Sequence, residues 1–193
     1  MTIPDDERRD DGCDAQHQRQ RIVPGARKDT MMRVDYRRVF PEAAQAMGGL
    51  EQAVRDSSLE PALLELVRMR ASQLNGCAYC LDMHSKDARA RGESEQRLYV
   101  LSAWQEAPFY SERERAALAW CEALTLLGQS GAPDDVYERL AAQFDEQQIV
   151  ALTLAIVAIN GWNRFAVGLR PAVGEYVSPH DREQVAPGHP AGG

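Results

Sequence analysis

Two cysteines three residues apart are the side chains of this sequence best suited to chemistry. Cys77 and Cys80 follow the turn signal Asn75-Gly76, where we expect a helix to begin. The amino terminus of a helix carries partial positive charge and unpaired N–H groups, which stabilise a nearby thiolate. A thiolate attacks peroxides and disulfides, and a second thiol at this spacing can close a small disulfide. The spacing therefore predicts a redox pair.

A histidine and a glutamate are spaced to serve this pair. His84 follows Cys80 by four residues, so both lie on one face of the predicted helix, where the imidazole can exchange a proton with the thiol. If Asn75-Gly76 joins two antiparallel helices, Glu65 lies at the same height as His84. A carboxylate bonded to the imidazole would orient it, which gives a Glu-His-Cys relay.

Other interpretations of these residues stay open at this level. Cys77, Cys80 and His84 supply three zinc ligands, but a structural zinc site needs a fourth. Two buried inert thiols are an alternative, since free cysteine is among the most buried residue types. A purely structural disulfide would add little stability because its loop is so short. On a helical wheel Glu65 lies near Arg68 and away from the apolar stripe, which favours a solvated acid paired with that arginine.

The remaining cysteines and histidines lie in less reactive surroundings. Cys121 is on an alanine- and leucine-rich helix and is predicted to be a buried structural thiol. Cys13 lies in a polar segment and is expected to be a solvated bystander. We also expect the other histidines to be solvated, because they lie in polar ends of the chain: His17, His180 and His189.

The elements that must position these residues are predicted to be helices. Apolar residues recur with a period of 3.6 and no strand-like alternation is found, so the fold class is all-α, a bundle of about seven helices with the cysteine pair at a helix amino terminus. Gly48-Gly49 is expected to interrupt the first helix, and Ser94, Ser111 and Asp145 are predicted caps. The predicted helices cover about 41–47, 61–74, 77–91, 94–107, 111–127, 133–144 and 145–170, and a second short piece covers 50–56.

The segment 149–159 is almost wholly apolar. It is too short to cross a membrane but suits a helix that is surrounded on all sides. We expect the bundle itself to surround it, and packing against another subunit is the weaker alternative.

The composition excludes several classes of protein. Lys and Arg number 22 against 29 acidic residues, and the net charge of −7 repels nucleic acid and anionic membranes. Four cysteines are too few for a disulfide-stapled secreted domain and indicate a reducing compartment. Without a signal-like start or a spanning apolar run, the sequence predicts a cytoplasmic protein with neither nucleic acid nor membrane as a partner.

The chain divides into one domain and two tails. Residues 1–31 are rich in charge and hold no Phe, Leu, Trp or Tyr, so a disordered tail is expected. One helical domain is predicted over 32–176. Residues 177–193 are expected to form a flexible carboxy-terminal tail.

Glu-x11-Cys-x2-Cys-x3-His, formed by Glu65, Cys77, Cys80 and His84, resembles the core motif of the AhpD-like alkylhydroperoxidases in the carboxymuconolactone decarboxylase family. The similarity covers about 32–175 and includes ERERAALAWCEALT and NGWNRFAVGLRP. Members of that family commonly begin near the equivalent of Met31 or Met32, which implies that residues 1–31 are an optional tail or lie upstream of the true start.

The resemblance implies an antioxidant alkylhydroperoxidase with peroxiredoxin-type activity, with no cofactor and no metal. Cys80 would be the peroxidatic thiol, Cys77 the resolving thiol, and Glu65 and His84 the proton relay. Tyr79 stands where well-known members carry a second relay histidine, and a phenol takes up no proton near neutral pH. The implied partners are a hydroperoxide substrate, an external lipoyl- or thioredoxin-type dithiol reductant and further copies of the chain in a trimer or hexamer.

Two alternatives to the peroxidase stay open. A redox-sensing or thiol-disulfide exchange oligomer would use the same cysteines without peroxide turnover. A carboxymuconolactone-type decarboxylase is disfavoured, because that chemistry needs acid and base groups rather than a dithiol.

Overall fold

The computed structural model describes residues 32–180. Within this range it is all-helical, as predicted, with nine α-helices and no strand. The predicted tail 1–31, with Cys13 and His17, and residues 181–193, with His189, lie outside the described residues. The helices are α1 (Tyr36–Val39), α2 (Pro41–Arg55), α3 (Pro61–Leu74), α4 (Ala78–Ala90), α5 (Glu95–Val100), α6 (Glu112–Thr125), α7 (Leu127–Ser130), α8 (Asp134–Ala141) and α9 (Glu146–Leu169).

The long helix α9 lies at the centre of the bundle. The apolar segment 149–159 forms its middle, and α9 contacts α2, α3, α4, α6 and α8. By length and composition alone α9 could cross a membrane, a test that a buried core helix also passes. Its residues Leu152, Ile156 and Ile159 are fully buried within the bundle. The domain's own helices therefore cover most of this segment, but Val150 and Val157 are 68% and 53% exposed, so the expectation that the bundle surrounds it on all sides is met only in part.

The capping residues read from the sequence begin the helices as predicted. Ser111 and Glu114 form a reciprocal capping box at α6, and Asp145 and Gln148 form another at α9. The side chain of Ser94 accepts a hydrogen bond from the backbone of α5. Three of the predicted helix starts thus depend on local hydrogen bonds that the sequence makes evident.

Two predicted boundaries are wrong. Gly48 and Gly49 do not interrupt the first helix, since α2 is continuous. A helical glycine costs only about 1 kcal/mol, which the packing of α2 against α9 outweighs. The helix that begins after Ser94 ends at Val100 instead of continuing to Pro108, and a 3₁₀ turn, Leu101–Ala103, follows.

Arg115 holds the irregular segment that follows the 3₁₀ turn. Its guanidinium donates hydrogen bonds to the backbone carbonyls of Gln105, Ala107 and Tyr110 in the irregular segment before α6. These carbonyls lie in or beyond the last turn of the predicted helix, where no backbone N–H of that helix would pair them, so this one side chain satisfies them. Leu101 and Trp104, freed from a regular helix, are buried in the apolar cluster beside α3.

Candidate active site around the cysteine pair

A tight turn delivers the cysteine pair to the start of α4. α3 ends at Leu74, and the N–H of Cys77 donates to the carbonyl of Ser72 at 3.0 Å. Gly76, between the end of α3 and Cys77, has φ +64°, a left-handed conformation that a side chain disfavours. Cys77 is the N-cap of α4, and its Sγ accepts a hydrogen bond from the N–H of Cys80 at 3.3 Å. The turn sequence therefore places both sulfurs at the positive end of α4.

A cluster of buried and half-buried amides holds this turn against α6 and α9. Asn75 Nδ2 donates to Oδ1 of Asn163 at 2.8 Å and of Asn160 at 3.0 Å. Asn163 donates in turn to Ser72 Oγ at 3.1 Å, and Asn160 donates to Thr125 Oγ1 at 3.0 Å. Sequence reasoning missed this cluster. The sequence feature that could have indicated it is the pair Asn160 and Asn163, near the end of the otherwise apolar α9.

Cys77 and Cys80 are joined as a disulfide, with their Cα atoms 5.4 Å apart, so the structure describes the oxidised pair. Both residues are about 1% exposed. They differ in access, since Cys80 lines a cavity of about 520 Å³ and Cys77 does not. A molecule that enters the cavity therefore meets Cys80 first.

Glu65 and His84 are brought together as the antiparallel arrangement predicted. Nδ1 of His84 lies 2.9 Å from Oε2 of Glu65, and the two residues are 6% and 4% exposed. The expectation of a solvated Glu65 is therefore wrong. Its pairing with Arg68 is nevertheless present, at 2.9 Å between Nη1 and Oε1. The two contacts that the sequence posed as alternatives thus coexist on the two oxygens of one carboxylate.

The charge on Glu65 is set by these neighbours. Burial acts to raise the pKa of Glu65, but the hydrogen bond with His84 and the charges of His84 and Arg68 outweigh it, so the pKa lies below its usual value. An ionised carboxylate can only accept hydrogen bonds, so Nδ1 of His84 is the donor in this contact. Nε2 is then the nitrogen left to exchange a proton with a neighbour. Cys80, one turn earlier on α4, lines the same cavity as His84.

Arg68 is a member of the site that the sequence placed only as a surface partner. Its Nη2 also donates to Oε2 of Glu51 at 2.7 Å, so the guanidinium joins a carboxylate of α2 to the carboxylate that holds His84. Nε of Arg68 is buried and has no partner among the described residues. The positive charge of this buried side chain is therefore balanced by the two carboxylates, Glu51 and Glu65.

A second carboxylate, Asp87, approaches the pair. Single atoms of Glu65, His84 and Asp87 lie within 4.8 Å of one another, a spacing that could hold a metal ion. The positive charge of Arg68 against Glu65 disfavours a cation there. The zinc set of the sequence analysis does not form in this state, because the two sulfurs are bonded to each other.

The chain after α9 forms one wall of the cavity. Lys86 Nζ donates to the carbonyl of Tyr176 at 2.9 Å, and the Tyr176 hydroxyl donates to both oxygens of Asp87 at 2.9 and 3.0 Å. Burial raises the pKa of Tyr176, and the bond to Asp87 adds to this, so the phenol stays protonated. Pro171, Pro179 and His180 line the cavity.

The predicted flexible tail 177–193 begins within this wall. Its residues 177–180 are described, and Ser178 is fully buried. His180, expected to be solvated, is partly buried and its Nε2 lies 2.7 Å from Nη2 of Arg91. The sequence carried no signal for this wall, because its anchoring hydrogen bonds use backbone carbonyls and residues some 90 positions away.

Cys121 is separate from this site, as predicted. It is fully buried, and its Sγ donates to the carbonyl of Val67 at 3.4 Å. Burial raises the pKa of the Cys121 thiol to about 12, so it stays a neutral thiol. It is a structural core residue.

Comparison with known proteins agrees with this fold. The model of the carboxymuconolactone decarboxylase family matches residues 41–123. YdfG of Bacillus subtilis, an uncharacterised protein, is 44% identical over 137 residues, which are 71% of this chain and 93% of YdfG. The crystal structure of ATU0492 from Agrobacterium tumefaciens, a protein of unknown function proposed as an antioxidant defence protein AhpD, superposes with a TM-score of 0.72 and 47% identity over 74% of this chain and 98% of that one.

A more distant structure shares the fold alone. The debrominase Bmp8 superposes with a TM-score of 0.62 at 23% identity, covering 75% of its chain and 74% of this one. The family match spans α2 to most of α6, which includes Glu65, both paired cysteines and His84. The chain belongs to the carboxymuconolactone decarboxylase family, with the all-helical fold of its AhpD-like members.

Proposed function

We propose that this protein is a thiol-dependent hydroperoxide reductase, an alkylhydroperoxidase with peroxiredoxin-type activity and Cys80 as the peroxidatic thiol. The observation that carries the proposal is the position of Cys80, which lines a cavity one helical turn before His84, whose Nδ1 is bound to Glu65. A thiol beside an oriented imidazole is the arrangement of an activated nucleophile. Membership of a family with antioxidant-related, AhpD-like members supports the same conclusion.

The reaction begins with the reduced pair. Nε2 of His84 accepts the proton of Cys80, and the thiolate attacks the terminal oxygen of the hydroperoxide. The O–O bond breaks, the alcohol leaves with the proton returned by His84, and Cys80 becomes a sulfenic acid. The thiol of Cys77 then attacks the Cys80 sulfur and water leaves. One peroxide is reduced by two electrons, and the two thiols become the disulfide present in the structure.

An external dithiol resets the pair. Because Cys80 and not Cys77 lines the cavity, the first thiolate of the reductant attacks Cys80, forms a mixed disulfide and releases Cys77. The second thiol of the reductant resolves the mixed disulfide. The lipoyl- or thioredoxin-type identity of this reductant, the homo-oligomer and the cytoplasmic location stay predictions.

Hydroperoxide consumption by the purified protein, with dithiothreitol as reductant, tests the proposal. Cys80→Ser should abolish consumption. Cys77→Ser, without reductant, should consume one equivalent and remain a sulfenic acid. Cys121→Ser is the matched control and should behave as the wild type, because that thiol is buried away from the cavity.

Other outcomes would identify the alternatives. If Cys80→Ser consumes peroxide as fast as the wild type, the assignment is wrong. Stoichiometric oxidation that no reductant converts into turnover would identify a redox sensor. Lactone-acid decarboxylation that survives both cysteine substitutions would identify a decarboxylase.

A further inference from the structure

The cavity beside Cys80 is far larger than the smallest peroxide requires. Its volume is about 520 Å³, whereas a water molecule occupies about 30 Å³ of the liquid. Hydrogen peroxide, little larger than water, would leave most of it unfilled. The size is within the ordinary range for organic ligands.

One wall of the cavity is aromatic. The ring of Tyr36 on α1 lies 5.0 Å from that of Phe165 and 6.3 Å from that of Trp162, both on α9. Tyr79, beside the catalytic thiol, adds a fourth ring to the lining. Mutually packed rings form a preformed apolar surface, and covering it with an alkyl or aryl group removes apolar area from water.

The rim of the cavity is rich in arginine. Three exposed arginines, Arg37, Arg55 and Arg91, lie at the cavity and form no ion pair with a carboxylate of the described residues. Each contacts a group other than a carboxylate: the ring of Tyr36, the amide of Gln52 and the imidazole of His180, respectively. These guanidiniums are therefore available to an anion.

The charge balance at the cavity is opposite to that of the chain. With Arg68 the lining holds four arginines and three carboxylates, Glu51, Glu65 and Asp87. Arg68 forms ion pairs with two of these carboxylates, Glu51 and Glu65. The whole chain carries −7. A positive rim on an acidic protein attracts anions to the cavity.

We propose, building on the peroxidase function above, that the substrates are amphiphilic organic hydroperoxides with an alkyl or aryl body and a carboxylate head. The body packs on the aromatic wall, the carboxylate pairs with the rim arginines, and the hydroperoxide group reaches Cys80. The reaction balances as before, because the carboxylate is unchanged and only the O–O bond is cleaved.

Equilibrium binding of the reaction product tests this class without catalysis. The probes are 13-hydroxyoctadecadienoate and its methyl ester, which differ in the charge of the head and by one methyl group. Trp162 lines the cavity and reports binding by its fluorescence, with Trp162→Phe as the control for the other tryptophans. We expect the acid to bind about tenfold more tightly than the ester, a preference that added salt reduces.

Substitutions of the rim arginines test whether they cause the preference for the acid over the ester. In the triple variant Arg37→Gln, Arg55→Gln and Arg91→Gln the ratio of the two affinities should fall to about one. Arg38→Gln is the matched control, since Arg38 is an exposed neighbour on α1 that does not line the cavity, and it should keep the wild-type ratio. Equal binding of acid and ester, or a preference that survives in the triple variant, would overturn the proposal.

Turnover separates this proposal from the proposed function. If the hydroperoxide of the same acid and tert-butyl hydroperoxide are both consumed only when Cys80 is present, the peroxidase function holds, and the ratio of kcat/KM for acid over ester should follow the binding ratio. If neither is consumed, the peroxidase function fails while the binding measurement still decides which ligands the cavity takes.

Discussion

Nδ1 of His84 lies 2.9 Å from Oε2 of Glu65, across the contact between α3 and α4 and away from solvent. The contact fixes both the rotation and the tautomer of the imidazole, because an ionised carboxylate accepts the Nδ1 proton. The sequence separates the two residues by 19 positions, and only the tight turn at Gly76 brings them to the same height. Proton exchange between His84 and Cys80, both on α4, therefore depends on a residue of the neighbouring helix α3.

Replacing the charge on Glu65 should slow the thiol chemistry. We expect Glu65→Gln to reduce the rate of Cys80 oxidation by peroxide about 10- to 100-fold, since the amide orients His84 less well and no longer balances its charge. Single-turnover oxidation, followed across pH, measures this rate. A variant that oxidises at the wild-type rate with an unchanged pH profile would show that Glu65 is not in the relay.

The same carboxylate makes stability depend on pH. The pKa of Glu65 is lower in the folded protein than in the unfolded chain, so its stabilisation is present above the unfolded value near 4.5 and is lost as pH falls through the folded value. Unfolding by urea at pH 7 and at successive values below 4.5 should show a smaller acid loss for Glu65→Gln than for wild type. Glu60→Gln is the comparison: the pKa of Glu60 is also lowered by Arg113, but this exposed pair is screened by water, so its effect on the acid loss should be the smaller of the two.

Arg68 should be the most costly arginine to replace. Arg68→Leu leaves Glu51 and Glu65 without their shared partner, and removing one member of a buried ion pair costs about 3–5 kcal/mol. Arg139→Leu breaks an exposed pair with Asp135 and should cost less than about 1 kcal/mol. The free energies of unfolding in urea give both values. Equal costs would mean that Arg68 is not the centre of a buried network.

The cysteines should differ sharply in reactivity. In the reduced, folded protein at pH 8, iodoacetamide should label Cys80 rapidly and leave Cys121 unlabelled, because burial raises the pKa of Cys121 to about 12. Denaturant should expose Cys121 to labelling. Peptide mass spectrometry locates each label, and rapid modification of Cys121 in the native protein would contradict its place in the core.

Two glycine-to-alanine substitutions should change stability in opposite directions. A Cβ added at Gly76 or at Gly48 meets no atom within 4 Å, so the difference is one of backbone conformation. Gly76 has a φ of +64°, and Gly76→Ala should cost about 1–2 kcal/mol. Gly48 is inside α2, and Gly48→Ala should stabilise by up to about 1 kcal/mol. Thermal unfolding measures both, and stabilisation at Gly76 would contradict the turn geometry.

The parts of this protein that the sequence predicted are those set by local chemistry. Helix starts follow from caps such as Ser111 and Asp145, because a side chain and the backbone three residues on satisfy one another. The all-α class follows from apolar periodicity. The meeting of Glu65 with His84 was predictable because a single turn of known length separates two helices.

What the sequence did not predict depends on contacts between distant residues. The continuity of α2 through Gly48 and Gly49 depends on packing against α9, more than 100 residues later. The irregular segment after α5 is held by Arg115, whose role is visible only when its three carbonyl partners are placed. Burial of Glu65 was missed because a helical wheel shows one apolar stripe, whereas α3 contacts α4, α6 and α9 together.

The wall formed by residues 171–180 couples occupancy of the cavity to the stability with which this segment is held on the bundle. A ligand that fills the cavity touches Pro171, Pro179 and His180 as well as Cys80. By mass action, its binding free energy adds to the free energy that holds this segment on α4 through Lys86 and Asp87. Cleavage of this segment by a protease should therefore become slower as the ligand concentration rises. The cleavage rate thus measures how much of the cavity is occupied.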